Sequence, residues 1–184
     1  LQMQEDLQFK LSINVSVRQF IQIDFIDKLM DAYKKYSNAQ TAITIEITES
    51  LFIESLDALL PIFHKMKANH IALSLDDFGT GYSSLNNLVN LSVTHIKIDK
   101  SLVQQATTLK EVHKLIRGVV EFAHALELKV VAEGVETKNM EAIVSGMQID
   151  YSQGYFYAKP LREEDDYIVI NDSIEKSKVQ EINQ

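Results

Sequence analysis

The sequence predicts an α/β fold of the (β/α) barrel type, on three observations. Short β-prone runs alternate with longer stretches of helical period, a pattern typical of parallel strands joined by crossover helices. The first strand is not followed by the glycine-rich turn that usually marks an open doubly wound sheet. Polar residues recur where successive strands end, as in barrels whose functional groups sit at the carboxyl ends of the strands.

Six strands and five helices are predicted from the spacing of apolar residues. The predicted strands are Lys10–Ser16, Ala42–Thr48, Ile71–Asp76, His95–Asp99, Lys129–Ala132 and Gly154–Tyr157. The predicted helices are Val17–Tyr36, Ser55–Lys67, Tyr82–Val89, Glu111–Leu128 and Thr137–Met147. Thr137 suits a helix N-cap, and Pro61 either marks the first turn of its helix or kinks it.

Length and composition exclude several classes of protein. A chain of 184 residues predicts one domain over 1–184, ending in a charged tail over 162–184. The net charge of −8 disfavours binding to a nucleic-acid polymer, and no apolar run is long enough for a membrane span. The chain has no cysteine, so a metal would be held by oxygen or imidazole. We expect a cytoplasmic domain, from a protein that could be membrane-anchored upstream.

Charged and amide side chains interrupt strands that are otherwise apolar. Glu46 lies between two isoleucines, and so does Lys97. Because a buried charge costs several kcal/mol unless it is paired or binds a metal, repeated intrusions on successive strands predict a shared site. Its oxygen ligands would suit Mg²⁺ or Mn²⁺. The candidate residues are Asn14, Glu46, Asp76, Asp77, Lys97, Asp99, Glu133, Glu136 and Gln153.

Two adjacent carboxylates, Asp76 and Asp77, predict a two-metal site. Side chains alternate along a strand, so both cannot face the site from an ideal strand, but they can converge if the strand ends there and the loop turns. Gly79 and Gly81 supply that freedom. Lys97 would then hold the attacking water or balance the carboxylate charge. The alternative for the two aspartates is a helix cap or an Asx-turn before a glycine loop.

Six ordered segments of the chain resemble the EAL family of cyclic di-GMP phosphodiesterases. The segments are LSINVS from Leu11, IEITES from Ile45, LDDFGTGYSSL from Leu75, IKIDKS from Ile96, VAEGVET from Val131, and QGY from Gln153 with KPL from Lys159. The resemblance implies a (β/α)₈ TIM-like barrel that hydrolyses cyclic di-GMP to linear pGpG with Mg²⁺ or Mn²⁺. It also implies a homodimer and fusion to upstream sensory or GGDEF-type domains.

The resemblance assigns a role to each candidate residue. It implies metal ligands at Asn14, Glu46, Asp76 and Asp77, residues near the catalytic water at Lys97, Asp99 and Gln153, and a general base or metal-site organiser at Glu133. Glu49, with Gly79 and Gly81, would support the loop after the third strand. Glu136 would lie close to the site in a less direct role.

The Glu-Ala-Leu motif that names the family does not occur in Leu1–Lys10, and about six of the eight β/α units are expected here. We therefore expect a piece of a longer protein. Alone, it should have weak or no activity and poor solubility, because its sheet edge is open. The alternative function is a catalytically inactive receptor or regulatory module that binds cyclic di-GMP.

Overall fold

The computed structural model describes residues 9–22, 24–36, 41–79 and 93–160. Its strands are β1 (Phe9–Asn14), β2 (Thr41–Thr48), β3 (Ala72–Phe78), β4 (His95–Ile98), β5 (Lys129–Ala132) and β6 (Tyr151–Ser152). Its helices are α1 (Val17–Phe20), α2 (Phe25–Tyr36), α3 (Glu49–Ala68), α4 (Lys100–Ala106), α5 (Lys110–Ala125) and α6 (Lys138–Ser145). None of the helices in these ranges is both long and apolar enough to cross a lipid bilayer.

The six strands form one parallel sheet in which each strand pairs with the next one in the chain. Helices separate consecutive strands wherever the structure describes the connection. This order, with six of the eight strands, is that of a partial (β/α)₈ barrel, so the predicted fold is confirmed.

The register of the sheet places apolar and polar side chains on opposite faces. Asn14 pairs with Glu46, and Glu46 pairs with Ser74, so these polar residues share one face. The alternate residues, such as Ile45 and Leu75, are at most 1% exposed on the face that the helices cover. Because side chains two residues apart point the same way, the sheet has an apolar outer face and a polar inner face.

The outer face of β1 differs from that of its neighbours. Leu11 and Ile13 are 52% and 39% exposed, whereas their register partners Ile43 and Ile45 are 7% and 0% exposed. In the described part of the chain, the outer face of this edge strand is therefore largely uncovered.

The helices are held to the sheet by apolar side chains at helical spacing. On α3, Leu59, Phe63 and Met66 are almost fully buried. The ring of Phe20 packs edge-on against those of Phe63 and Phe25, with centroids 6.2 and 5.5 Å apart. Burial of one such aromatic side chain contributes roughly 1.5–3 kcal/mol, so this cluster joins α1 and α2 to α3, which packs on β2 and β3.

Two of the predicted helices differ most from the structure. The single helix predicted over Val17–Tyr36 is wrong, because α1 and α2 are separate helices. The helical spacing of apolar residues continues from α1 into α2 because Phe20 and Phe25, on either side of the break, pack together. The helix predicted over Ser55–Lys67 is α3, which begins at Glu49. Pro61 therefore lies inside this helix and not in its first turn.

The sixth strand was predicted too late in the chain. It is Tyr151–Ser152, whereas Gly154–Tyr157 forms a turn in which the Tyr157 N–H donates to the Gly154 carbonyl. Helix α4 was not predicted. Thr137 is the N-cap of α6 as predicted, since its hydroxyl accepts the Met140 N–H. The predicted helix Tyr82–Val89 and the tail 162–184 lie outside the described residues.

Candidate metal and catalytic centre

Lys97 on β4 is the centre of the polar inner face. Its ammonium lies 2.7 Å from Glu46 Oε2, 3.0 Å from Asp76 Oδ1 and 2.7 Å from Glu133 Oε1. Lys97 and Glu46 are each only 5% exposed. Burial opposes the charge, but hydrogen bonds to Glu133 and Glu46 raise the pKa of Lys97 above its ordinary value. Lys97 is therefore a fixed cation that draws together carboxylates from β2, β3 and the end of β5.

Three carboxylates beside Lys97 could hold a metal ion. Asp76, Asp77 and Glu133 each offer one oxygen, and these oxygens lie within 4.8 Å of one another. Asp76 Oδ1 is buried and, among the described residues, has an ion pair with Lys97 but no hydrogen-bond partner. Clustered carboxylate oxygens are ligands for hard divalent cations. The residues present therefore fit a divalent metal.

Asp76 and Asp77 come together through an irregular backbone at the end of β3. Asp77 has a φ of +56°, and the pairing register with β4 shifts between Leu75 and Phe78. Such a bulge re-aims a side chain within a strand. The prediction that the strand ends at Asp76 is therefore wrong, because β3 continues to Phe78. Gly79 does have a φ of +97°, and Gly81 lies outside the described residues.

The carboxylates raise one another's affinity for protons. Partial burial, together with the charges of Asp76 and Asp99, raises the pKa of Asp77. Burial also raises the pKa of Glu133, although contact with Lys97 opposes the shift. The raised pKa of Asp77 indicates that the negative charge of the site exceeds the positive charge that Lys97 contributes. Bound cations would reverse this effect.

Glu133 is placed by the turn that follows β5. Its backbone N–H donates to the Ile98 carbonyl, and its Oε1 accepts a short hydrogen bond from Gln153 Nε2. The next residue, Gly134, has a φ of +64°, and an added Cβ there would collide with the Lys100 side chain. The turn thus requires glycine, and it aims Glu133 at Lys97.

Glu49 lies behind the site and contacts the loop after β3. It is 2% exposed, and its Oε2 accepts the Gly79 N–H at 2.9 Å. Its Oε1 is buried and has no hydrogen-bond partner in the part of the chain that the structure describes. This geometry fits the predicted loop-support role, which stays a prediction.

The remaining predicted residues are arranged differently. Asp99 is the N-cap of α4, where its Oδ1 accepts hydrogen bonds from the Ser101 N–H and hydroxyl. Asn14 ends β1, exposed and paired in register with Glu46. Glu136 is exposed, and among the described residues it is not one of the groups in contact with Lys97.

Sequence reasoning missed Ser101, which fixes the Asp99 carboxylate. The available signal was the Asp-x-Ser spacing directly after a strand, which is typical of a helix N-cap. The same cap marks the start of α4, a helix that was not predicted from the spacing of apolar residues.

Comparisons with known proteins identify the family. The family model described as EAL domain matches residues 1–160. The chain is 37% identical to the oxygen sensor protein DosP of Escherichia coli over 84% of this chain and 19% of DosP. It is 34% identical to the cyclic di-GMP phosphodiesterase PdeL of the same species over 83% of this chain and 42% of PdeL. The chain spans 19–23% of the length of the first three curated relatives that it matches.

Solved structures show the same fold. The MucR phosphodiesterase in complex with cyclic di-GMP is 30% identical with a TM-score of 0.77, over 85% of this chain and 63% of that chain. The EAL domain of Mycobacterium smegmatis DcpA is 29% identical with a TM-score of 0.78, over 88% and 73%. With a carboxylate cluster at the carboxyl ends of a partial barrel and a family model matched over most of its length, the chain belongs to the EAL domain family.

Proposed function

We propose that this chain is the catalytic part of a phosphodiesterase that hydrolyses cyclic di-GMP to linear pGpG with two divalent cations, Mg²⁺ or Mn²⁺. The observation that carries the proposal is the ammonium of Lys97, held by carboxylates from β2, β3 and the turn after β5. Two of these carboxylates, those of Asp76 and Glu133, form a cluster with Asp77. Relatives named as cyclic di-GMP phosphodiesterases support the choice of substrate.

The carboxylates would divide between metal binding and proton transfer. Asn14, Glu46, Asp76 and Asp77 would hold the cations at the inner face. When bound, the cations would activate water and offset the charge that develops on the phosphoryl oxygens. Lys97 is fixed by its ion pairs, and it would keep the carboxylates close together before a cation arrives.

Glu133 is suited to accept the proton of the attacking water. Its raised pKa brings it closer to neutral pH than an ordinary glutamate, which favours general base catalysis. Gln153 donates to Glu133 Oε1 and so restricts its orientation. Asp99, whose Oδ1 accepts hydrogen bonds from Ser101, would approach the same water from the β4 side.

A longer protein around this domain is part of the proposal. The first curated relatives are about four to five times as long as the segment they share with this chain, judging from the matched fractions. We propose that upstream sensory or GGDEF-type domains regulate this one and that the domain acts as a homodimer.

The test is release of pGpG from cyclic di-GMP by the full-length protein, in the presence of Mg²⁺ or Mn²⁺ and, separately, of EDTA. Chromatography measures the pGpG that is formed. Glu133→Gln and Asp76→Asn should each lower turnover by about 10²–10⁴-fold, the usual contribution of a positioned general base or of a comparable catalytic group. Asp27→Asn is the matched control, because its ion pair with Lys65 lies on the surface.

Two results would contradict the proposal. Turnover that survives both substitutions would show that these carboxylates are not the reacting groups. Binding of cyclic di-GMP without turnover by the unmodified protein would instead identify the receptor alternative.

A further inference from the structure

We propose that Asp150 is a positioning residue, which holds β6 so that Gln153 reaches Glu133; this inference rests on the proposed function. Asp150 lies just before β6, at the amino end of the strand. The site lies at the opposite, carboxyl end. The two ends are linked because β6 has only two residues.

The Asp150 carboxylate gathers donors from two elements. Its Oδ1 accepts Lys129 Nζ at 2.7 Å, and its Oδ2 lies 2.9 Å from the Val130 N–H and 2.8 Å from His124 Nε2. Its side chain is 14% exposed. The Asp150 carboxylate therefore connects the residue just before β6 to the start of β5 and the end of α5.

Asp150 also extends a ladder that is otherwise very short. The paired residues of β5 and β6 are Val131 with Tyr151 and Ala132 with Ser152. Below them, the Asp150 N–H donates to the Val130 carbonyl at 3.1 Å, while the Asp150 side chain accepts the Val130 N–H. Both backbone groups of Val130 are satisfied by Asp150, so the register of β6 depends on this residue.

At the carboxyl end of β6, the position of the strand determines where Gln153 lies relative to the site. The Gln153 N–H donates to the Ala132 carbonyl, and the Gln153 carbonyl accepts the Val135 N–H at 3.0 Å. A Cβ on Gly154 would collide with the Val135 backbone, so this turn has little room to move. Since the Gln153 side chain contacts Glu133, a displaced β6 would withdraw that hydrogen bond.

The competing explanation is that Asp150 only stabilises the fold. The two explanations differ in how Asp150 and Gln153 combine. If Asp150 acts through Gln153, its loss should matter little once the Gln153 amide has been removed. Independent effects would instead multiply, as for uncoupled sites.

The test is a double-mutant cycle on pGpG release with Asp150→Asn, Gln153→Ala and the double variant, in the full-length protein. Asp150→Asn should lower kcat by about 10-fold, at the lower end of the effects of supporting residues at metal sites, with little change in KM. In the Gln153→Ala background the same change should cost less than about twofold. An equal loss in both backgrounds would overturn the inference.

Lys129 provides a second route if Asp150→Asn does not fold. Lys129→Met removes one donor and should lower kcat, whereas Lys129→Arg retains a donor and should restore at least half of the activity. If Lys129→Met behaves like the unmodified protein, or Lys129→Arg fails to rescue it, the carboxylate anchor is not what positions Gln153.

Amide hydrogen exchange separates this inference from the proposed function. In Asp150→Asn, the Gln153 and Val135 amides should exchange at least about tenfold faster under native conditions, since both lie in the ladder that Asp150 anchors. Asp27→Asn is the control and should leave both unchanged. If the unmodified protein releases no pGpG, the proposed function fails, and the exchange result alone decides the anchoring role. Unchanged exchange in Asp150→Asn would overturn it.

Discussion

The two ends of the parallel strands contain opposite charge arrangements. At the carboxyl ends, one ammonium, that of Lys97, meets the carboxylates of Glu46, Asp76 and Glu133. At the amino ends, one carboxylate, that of Asp150, meets three donors from neighbouring elements. The first network has an excess of negative charge, and the second is satisfied by the protein itself.

The backbone shows the same contrast. Near the amino ends, Glu127 has a φ of +60° where α5 ends, and the following Leu128 N–H donates back to the Ala123 carbonyl, as in a Schellman cap. At the carboxyl ends, Asp77 has a φ of +56° inside a strand. The first conformation ends a helix, and the second aims a carboxylate. One end is stabilised by contacts within the protein, whereas the other has a carboxylate cluster that fits a divalent cation.

Replacing Lys97 should break this contrast most strongly. Lys97→Met leaves the surrounding carboxylates buried without their cation, so we expect a loss of about 3–5 kcal/mol in the free energy of unfolding. Urea unfolding in EDTA measures it, and Mg²⁺ should recover part of the loss because it neutralises the same groups. Lys65→Met, which removes an exposed ion pair with Asp27, should cost less than about 1 kcal/mol. A loss that Mg²⁺ does not change would count against metal binding at this site.

Acid should weaken the amino end through Asp150. Partial burial opposes ionisation, but hydrogen bonds from Lys129, the Val130 N–H and His124 lower the pKa of Asp150 to about 2. Because the folded-state pKa is lower than the unfolded value of about 3.9, the ionised group contributes stability above pH 4 or so and loses it as the pH falls towards 2. The lost contribution is about 2 kcal/mol.

The measurement is the free energy of unfolding from denaturant curves between pH 2 and about pH 6, a range that spans both pKa values. In Asp150→Asn this part of the pH dependence should disappear. A variant whose stability falls with acid as steeply as that of the unmodified protein would show that Asp150 is not responsible.

The smallest expected effect is at the helix end. Glu127→Gly should raise stability by up to about 1 kcal/mol, because glycine adopts the left-handed conformation without the steric cost of a Cβ. Thermal unfolding measures the gain. Asp77→Gly relieves the same kind of strain but removes one of the proposed ligands, so its unfolding temperature should rise less with Mg²⁺ than that of the unmodified protein. If Asp77→Gly keeps the full response to Mg²⁺, the comparison between the two left-handed residues fails.

Sequence patterns predicted the elements whose period is uninterrupted. Five of the six strands were placed within a few residues of their bounds, because each is an apolar run that the sheet buries. The sixth was misplaced because Tyr151–Ser152 is too short for an alternating pattern and is held by Asp150 instead. The helix break after Phe20 was missed because aromatic packing preserves the apolar period across it.

The sequence pattern alone predicted that Glu46, Lys97 and the strand-end carboxylates would lie on one face of the sheet. Charges placed between isoleucines, as at Glu46 and Lys97, must point to the inner face of a parallel sheet whose outer face is covered by helices. Strand order and alternation then bring them to one edge, whatever the details of the loops.

The way in which those groups are paired depends on the assembled fold. That Asp77 turns inward through a left-handed bulge, and that Asp99 caps a helix through Ser101, depends on backbone angles that residue type leaves open. The pairing of Lys97 with Glu133 joins two strands through space, and its strength depends on burial that no local pattern contains. Electrostatic energies in this site are set by distance and desolvation, and both are properties of the assembled fold.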